Sequence, residues 1–135
     1  MKGILFSDGG SRGNPGHSGV ACFLFDQDSK LINFESKAYE LLTNNQAEYY
    51  AFIMGLKLAI KHEISELECN LDSELIVKQI NGIYKIKDEK IAALKPKIDD
   101  LMKQFKSIVI QHIPREKNKF SDRLVNLTLD AFEKI

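Results

Sequence analysis

Cysteine is scarce in this chain, long apolar runs are missing, and neither sign of charge has a surplus. The two cysteines, Cys22 and Cys69, each sit in an apolar strand-like run and form no C-x-x-C pair. That favours buried free thiols over a disulfide or a metal role. No stretch approaches the roughly 18 apolar residues of a membrane helix, and nothing resembles a secretory leader. A cytoplasmic protein with no membrane association is the expectation. Repeats and low-complexity segments are absent. So is the GxxxxGK[ST] loop, and nucleoside triphosphate chemistry is therefore not indicated. With 135 residues, the length suits one domain spanning 1–135, with no second module and no obligate protein partner, so a monomer is expected.

Lys and Arg number 19 and so do Asp and Glu, which by itself argues against a strongly basic nucleic-acid binder. The balance hides a division. Residues 1–75 hold 6 basic and 11 acidic residues, whereas residues 76–135 hold 13 and 8. Lys85, Lys87, Lys90, Lys95, Lys97, Lys103, Lys106, Arg115, Lys117 and Lys119 could contact phosphates beside an acidic cleft. A solvated helix face is the plainer reading of most of them taken singly.

Three strands are expected first, Gly3–Ser7, Val20–Phe25 and Leu31–Ala38, antiparallel because their links are short. A helix capped by Asn44 or Asn45 runs to about His62, with Ala47, Ala51, Met54 and Leu58 recurring at helical spacing and Tyr50 and Leu56 on its flanks. A strand at Leu67–Leu71 precedes a Ser73-capped helix that buries Ile76, Val77 and Ile80. Pro96 interrupts the helical pattern from Lys87 to Phe105, implying a kink or a new helix. Ser107–Ile113 reads as a strand, and Phe120–Phe132 as a helix with Leu124, Leu127 and Ala131 inward. The order βββαβααβα predicts an α/β layer with right-handed crossovers.

Four separated acids stand in distinctive neighbourhoods. Asp8 ends the apolar run Ile4-Leu5-Phe6 and opens D-G-G-S-R-G-N-P-G. Glu48 lies in the first turn of the helix announced by T-N-N-Q-A-E-Y, Asp72 closes L-E-C-N-L-D-S, and Asp122 follows P-R-E-K-N-K-F-S. Singly, each has a structural explanation: a hairpin turn, a dipole partner, a capping pair, a surface acid. Gathered at strand ends, they would repel one another and need a hard divalent counter-charge. Two Mg²⁺ or Mn²⁺ ions about 4 Å apart would suit phosphoryl displacement. Asp8 is the natural shared ligand, because it ends the expected central strand. The adjoining glycine-rich segment suits close approach of a nucleic-acid backbone.

The segment Asp8–Gly16, the block Thr43–Glu48 with Gly55-Leu56, the Asp72-Ser73 pair with Gln79 and Gly82-Ile83-Tyr84-Lys85, and His112–Asp122 together resemble ribonuclease H, type 1. The resemblance runs from Asp8 to about Asn126. It implies a five-stranded mixed sheet of order 3-2-1-4-5 flanked by helices, and cleavage of the RNA strand of RNA/DNA hybrids to leave 3′-hydroxyl and 5′-phosphate ends. It also implies that Asp8 bridges two metal ions, that Glu48 and Asp72 complete one, and that Asp122 holds the other, which positions the attacking water. Gly10, Ser11, Asn14, Asn44 and Gln46 become substrate contacts along the minor groove, where 2′-hydroxyls distinguish RNA from DNA, and Arg12 is a further candidate substrate contact. Thr43 is a candidate contact to a DNA-strand phosphate.

The sequence departs from that pattern in two places. Many family members carry a histidine in the loop before the last aspartate, and here no histidine lies between His112 and Asp122. Arg115 or His112 could supply the missing cation. The stretch from Asp72 to Asp122 is also too short for the additional basic helix of some relatives, leaving Lys85–Lys106 as a partial substitute. No N-terminal hybrid-binding domain is evident. Two alternatives stay open: a broader nuclease that also cuts double-stranded RNA, and a non-catalytic nucleic-acid-binding domain of the same fold.

Overall fold

The computed structural model describes residues 1–134; Ile135, the last residue of the expected 1–135 domain, lies outside them. Strands β1 (Lys2–Arg12), β2 (Gly16–Asp26) and β3 (Leu31–Leu42) form an antiparallel meander. Strand β4 (Glu66–Leu71) lies parallel to β1, and β5 (Ser107–His112) lies parallel to β4, giving the order β3-β2-β1-β4-β5. This is the expected α/β class with a five-stranded mixed sheet.

Asp8 does not end its strand. Pairing with β2 carries β1 on to Arg12, opposite His17, while pairing with β4 stops at Phe6 and Asn70. The chain therefore turns at Gly13-Asn14-Pro15 and not at Asp8-Gly9. Gly13 takes a φ of +96° there, a conformation in which side chains are strained.

Helix α1 (Asn44–Lys61) crosses one face of the sheet. Its cap is Thr43, not Asn44 or Asn45. The Thr43 hydroxyl accepts from the Gln46 N–H, and the Gln46 side chain accepts from the Thr43 N–H, a reciprocal pairing that satisfies two otherwise orphaned donors. Glu48 consequently falls in the second turn. Leu56, expected at a flank, is fully buried. It shares one apolar cluster with Phe52 and Ala59 of α1, Leu5 and Leu24 of the meander, and Cys69 and Leu71 of β4. Each such large side chain contributes about 1.5–3 kcal/mol by leaving water.

Ser73 caps α2 (Glu74–Ile80), whose Ile76, Val77 and Ile80 are buried as expected. Pro96 sits in the first turn of a new helix, so the interrupted segment becomes α3 (Glu89–Ala92) and α4 (Lys95–Met102). A 3-10 turn (Arg115–Lys117) leads into α5 (Lys119–Glu133) on the opposite sheet face. Its inward row is Ser121, Val125 and Leu129, with Leu124 only partly buried, Leu127 58% exposed and Ala131 exposed. Close approach sets that register: a Cβ on Gly19 would lie 3.1 Å from the Val125 carbonyl oxygen. Cys22 and Cys69 are buried free thiols on strands separated by β1, about 9–10 Å apart at the usual strand spacing and beyond disulfide reach.

Candidate active site

Asp8 and Asp72 each lie two residues beyond the last β1–β4 pair, Phe6 with Asn70. They stand where the parallel pairing of the two central strands ends, the position at which open α/β sheets present ligand groups. Glu48 reaches them because α1 passes very close to β1: a Cβ on Gly9 would sit 2.3 Å from the Ala47 carbonyl atoms. The Gly9 N–H points toward Glu48 Oε1 at 3.5 Å. Asp8, Glu48 and Asp72 each offer a carboxylate oxygen within 4.8 Å of the other two. Asp122, in the first turn of α5, stands outside that trio but lines the same cleft of about 430 Å³, as does Arg115.

The electrostatics match the crowding. Burial pushes the Asp8 carboxyl up to about 7, against the pull of its hydrogen bond with Glu48, and the charges of Asp72 and Asp122 add to the rise. Glu48 is also raised well above the usual carboxylate range, first by burial and then by Asp8 and Asp72. Its Oε2 is buried without a hydrogen-bond partner. Orphaned carboxylate oxygens facing other carboxylates need a proton or a cation.

Asn118 was not singled out from the sequence, yet it joins three parts of the site. It is 1% exposed, and its Nδ2 donates to the Ser7 carbonyl at 2.9 Å and to Asp72 Oδ2 at 3.1 Å. Its main-chain carbonyl accepts the Asp122 N–H at 3.1 Å. The sequence signal was only an asparagine one turn before an aspartate at a helix start.

The other expected contacts divide. Gly10, Ser11, Arg12 and Asn44 line the cleft, and Asn45, expected only as a cap, lines it too. Asn14 accepts the Asn44 N–H at 2.9 Å, while Asn44 Oδ1 accepts the Ser11 N–H at 2.9 Å, which staples the glycine-rich hairpin to the start of α1. Thr43 and Gln46 are engaged in the cap and do not line the cleft. The Arg12 guanidinium pairs with Asp130 at 2.7 Å and with Glu133, so it braces the hairpin against α5. Of the two candidate cations, the fold brings Arg115 to the cleft. His112 ends β5 beside Glu74 of α2 and does not line it. Past Asn45 the surface continues into a second hollow of about 570 Å³ lined by Gln79, Ile83, Tyr84, Lys85 and Lys87. Gln79 is held there by the buried Tyr49 hydroxyl, which donates to its Oε1 at 2.7 Å.

A family profile described as reverse transcriptase-like matches residues 6–128. The bifunctional protein Rv2228c of Mycobacterium tuberculosis is 39% identical over 132 residues, 97% of this chain and 36% of that protein. The solved N-terminal RNase H domain of that protein superposes with a TM-score of 0.95 at 35% identity, covering 99% of this chain and 97% of the solved one. Ribonuclease HI of Halobacterium salinarum is 34% identical over 125 residues, 93% of this chain and 63% of that protein. The chain belongs to the ribonuclease H family, type 1. It spans about a third of the mycobacterial relative and under two thirds of the halobacterial one. Another ribonuclease H neighbour, LC11-RNase H1 from compost, solved with an RNA/DNA hybrid, has a TM-score of 0.89 at 36% identity, covering 96% of this chain and 97% of that chain. The family is metal dependent, and this member carries an acidic trio drawn from β1, α1 and the end of β4. Among the described residues, no helix is long and apolar enough to cross a membrane.

Proposed function

We propose that the chain is a metal-dependent ribonuclease H that hydrolyses the RNA strand of RNA/DNA hybrids, leaving 3′-hydroxyl and 5′-phosphate ends. The observation that carries this reading is the clustered trio of buried Asp8 and partly buried Glu48 and Asp72, with an orphaned Glu48 oxygen and two carboxyls whose protons are held too tightly for isolated acids. An all-oxygen donor set of this charge fits hard divalent cations such as Mg²⁺ or Mn²⁺. When bound, such ions lower the pKa of water and neutralise charge on the scissile phosphate.

The chain's own residues have distinct jobs in this reading. Asp8, Glu48 and Asp72 would hold the cation on their side of the cleft, with Asp8 central because Asp122 acts on it as well as Glu48 and Asp72. Asp122, on the far wall, completes the ligand set for a second ion. Arg115 places a fixed guanidinium where a phosphate oxygen gains charge. Gly10, Ser11 and Asn44 present small groups and hydrogen-bonding atoms to the groove face of the RNA strand, where 2′-hydroxyls are exposed. The hollow beyond Asn45, with Tyr84, Lys85 and Lys87, is suited to the phosphates of the paired DNA strand.

Strand selectivity is tested by parallel digestion of an RNA/DNA hybrid, double-stranded RNA and double-stranded DNA with Mn²⁺ and with Mg²⁺. The expected result is cleavage of the hybrid's RNA strand with the DNA duplex intact. Equal cutting of double-stranded RNA would support the broader nuclease. An intact hybrid under both metals would reduce the chain to a binding domain.

A further inference from the structure

On the side of α1 turned away from the carboxylates, β3, α1 and α4 enclose a separate hollow of about 360 Å³. Lys57 follows Glu48 by nine residues, roughly 14 Å along the helix axis and half a turn around it. Three ammonium groups line this hollow: Lys37 from β3, Lys57 from α1 and Lys97 from α4. None of them is among the ion pairs of the described residues, which involve Arg12, His17, Lys78 and Lys95. Glu35 is on the wall without closing an ion pair with any of the three.

The lysines also press on one another. Contact with Lys97 is the main cause that lowers the Lys57 ammonium below the usual lysine range, and Lys37 adds to it. Between the lysines stand two half-buried rings, Tyr39 and Tyr50, with centroids 5.3 Å apart. Lys37 Nζ lies 5.1 Å from the Tyr39 ring centre. Unpaired cations converging on partly exposed aromatic faces match what a single nucleic-acid strand requires: charge for the backbone and sequence-tolerant surfaces for stacked bases. Lysines, as point charges, suit phosphates without demanding one fixed geometry.

We propose that this hollow is a second nucleic-acid site that takes a single strand, with one phosphate between Lys57 and Lys97, another near Lys37, and a base against Tyr39 and Tyr50. It rests on the nuclease reading only for the origin of the strand, as an unpaired extension of the duplex in the acidic cleft. Its position across α1 lets both be occupied together.

The test is fluorescence anisotropy with a labelled oligothymidylate of about ten nucleotides, with the full chain in chelator so that nothing is cut. The expected result is salt-dependent binding that weakens at least about tenfold in Lys57→Glu/Lys97→Glu, with the slope of log affinity against log salt falling by about 0.7 for the one phosphate that the two lysines share. Tyr39→Phe should retain affinity and Tyr39→Ser should lose about tenfold, a split that a general charge effect would not produce. Excess blunt-ended hybrid should leave the oligothymidylate bound. Unchanged affinity in the charge-reversed variant, or one-for-one displacement by the hybrid, would overturn the proposal. Failure of the nuclease reading would show separately, as an intact hybrid in Mn²⁺.

Discussion

Asp8 holds its proton far more tightly in the folded protein than in the unfolded chain, moving from 3.8 to about 7. The sign of the consequence follows from linkage. Below about pH 4 the carboxyl is neutral in both states; as pH rises towards 7 the unfolded chain ionises it while the folded state still holds the proton, so stability is lost across that window. Glu48 acts in the same direction. We expect denaturation midpoints of the metal-free protein to fall between about pH 4 and 8, and Asp8→Asn to flatten that fall. At the upper end the variant should be more stable than the parent by on the order of a few kcal/mol. A parent protein whose midpoint rises through that window would contradict this account of the cluster. Asn118 makes a second prediction at this scale. As a positioning residue that orients Asp72, its replacement in Asn118→Ala should raise the metal concentration needed for half-maximal hybrid cleavage and lower kcat by about 10–100-fold, with KM for the hybrid little changed. Asn118→Asp, which sets a like charge beside Asp72, should be at least as impaired. A rise in KM at constant kcat would assign Asn118 to substrate binding.

Among the elements, the contact between β1 and α1 is the least tolerant of change. Gly9→Ala would drive a methyl group into the Ala47 carbonyl and is expected to cost about 1–3 kcal/mol, measurable by urea denaturation. It should also depress cleavage more than that stability loss explains, because the displaced helix carries Glu48; unchanged stability would mean the helix can shift freely. Most elements were legible from periodicity and punctuation. Pro96 announced the helix break, and the short links of the meander fixed its antiparallel sense. The misreadings share a cause, in that tertiary pairing extended or rotated an element beyond its local signal. Asp8 looked like the end of its strand, but β2 provides partners out to Arg12. Leu127 looked like core, but Gly10 and Gly19 admit Val125 and Leu129 to the sheet instead. Thr43 and Gln46 were read as substrate contacts, and their pairing at the start of α1 gives the same residues a folding job.

Across the whole molecule, the division of charge along the chain becomes a division in space. The acidic half supplies Asp8 and Asp72 just past the last β1–β4 pair and Glu48 from α1, and the basic half supplies Arg115 to the same cleft and Lys85 and Lys87 to the hollow continuing from it. The four acids were legible because each sits in its own motif. Asn118 and the Lys37–Lys57–Lys97 hollow were not, because their partners come from separate strands and helices. The central claim is that the gathered carboxylates form a cation-dependent nuclease centre. Its most direct test is cleavage of an RNA/DNA hybrid by the parent and by Asp8→Asn, each with Mn²⁺ and with excess chelator. The account predicts RNA-strand cutting by the parent with Mn²⁺ alone, lost on chelation and reduced by at least about a thousandfold in Asp8→Asn. Cutting that survives chelation, or that proceeds in Asp8→Asn at the parent's rate, would contradict it.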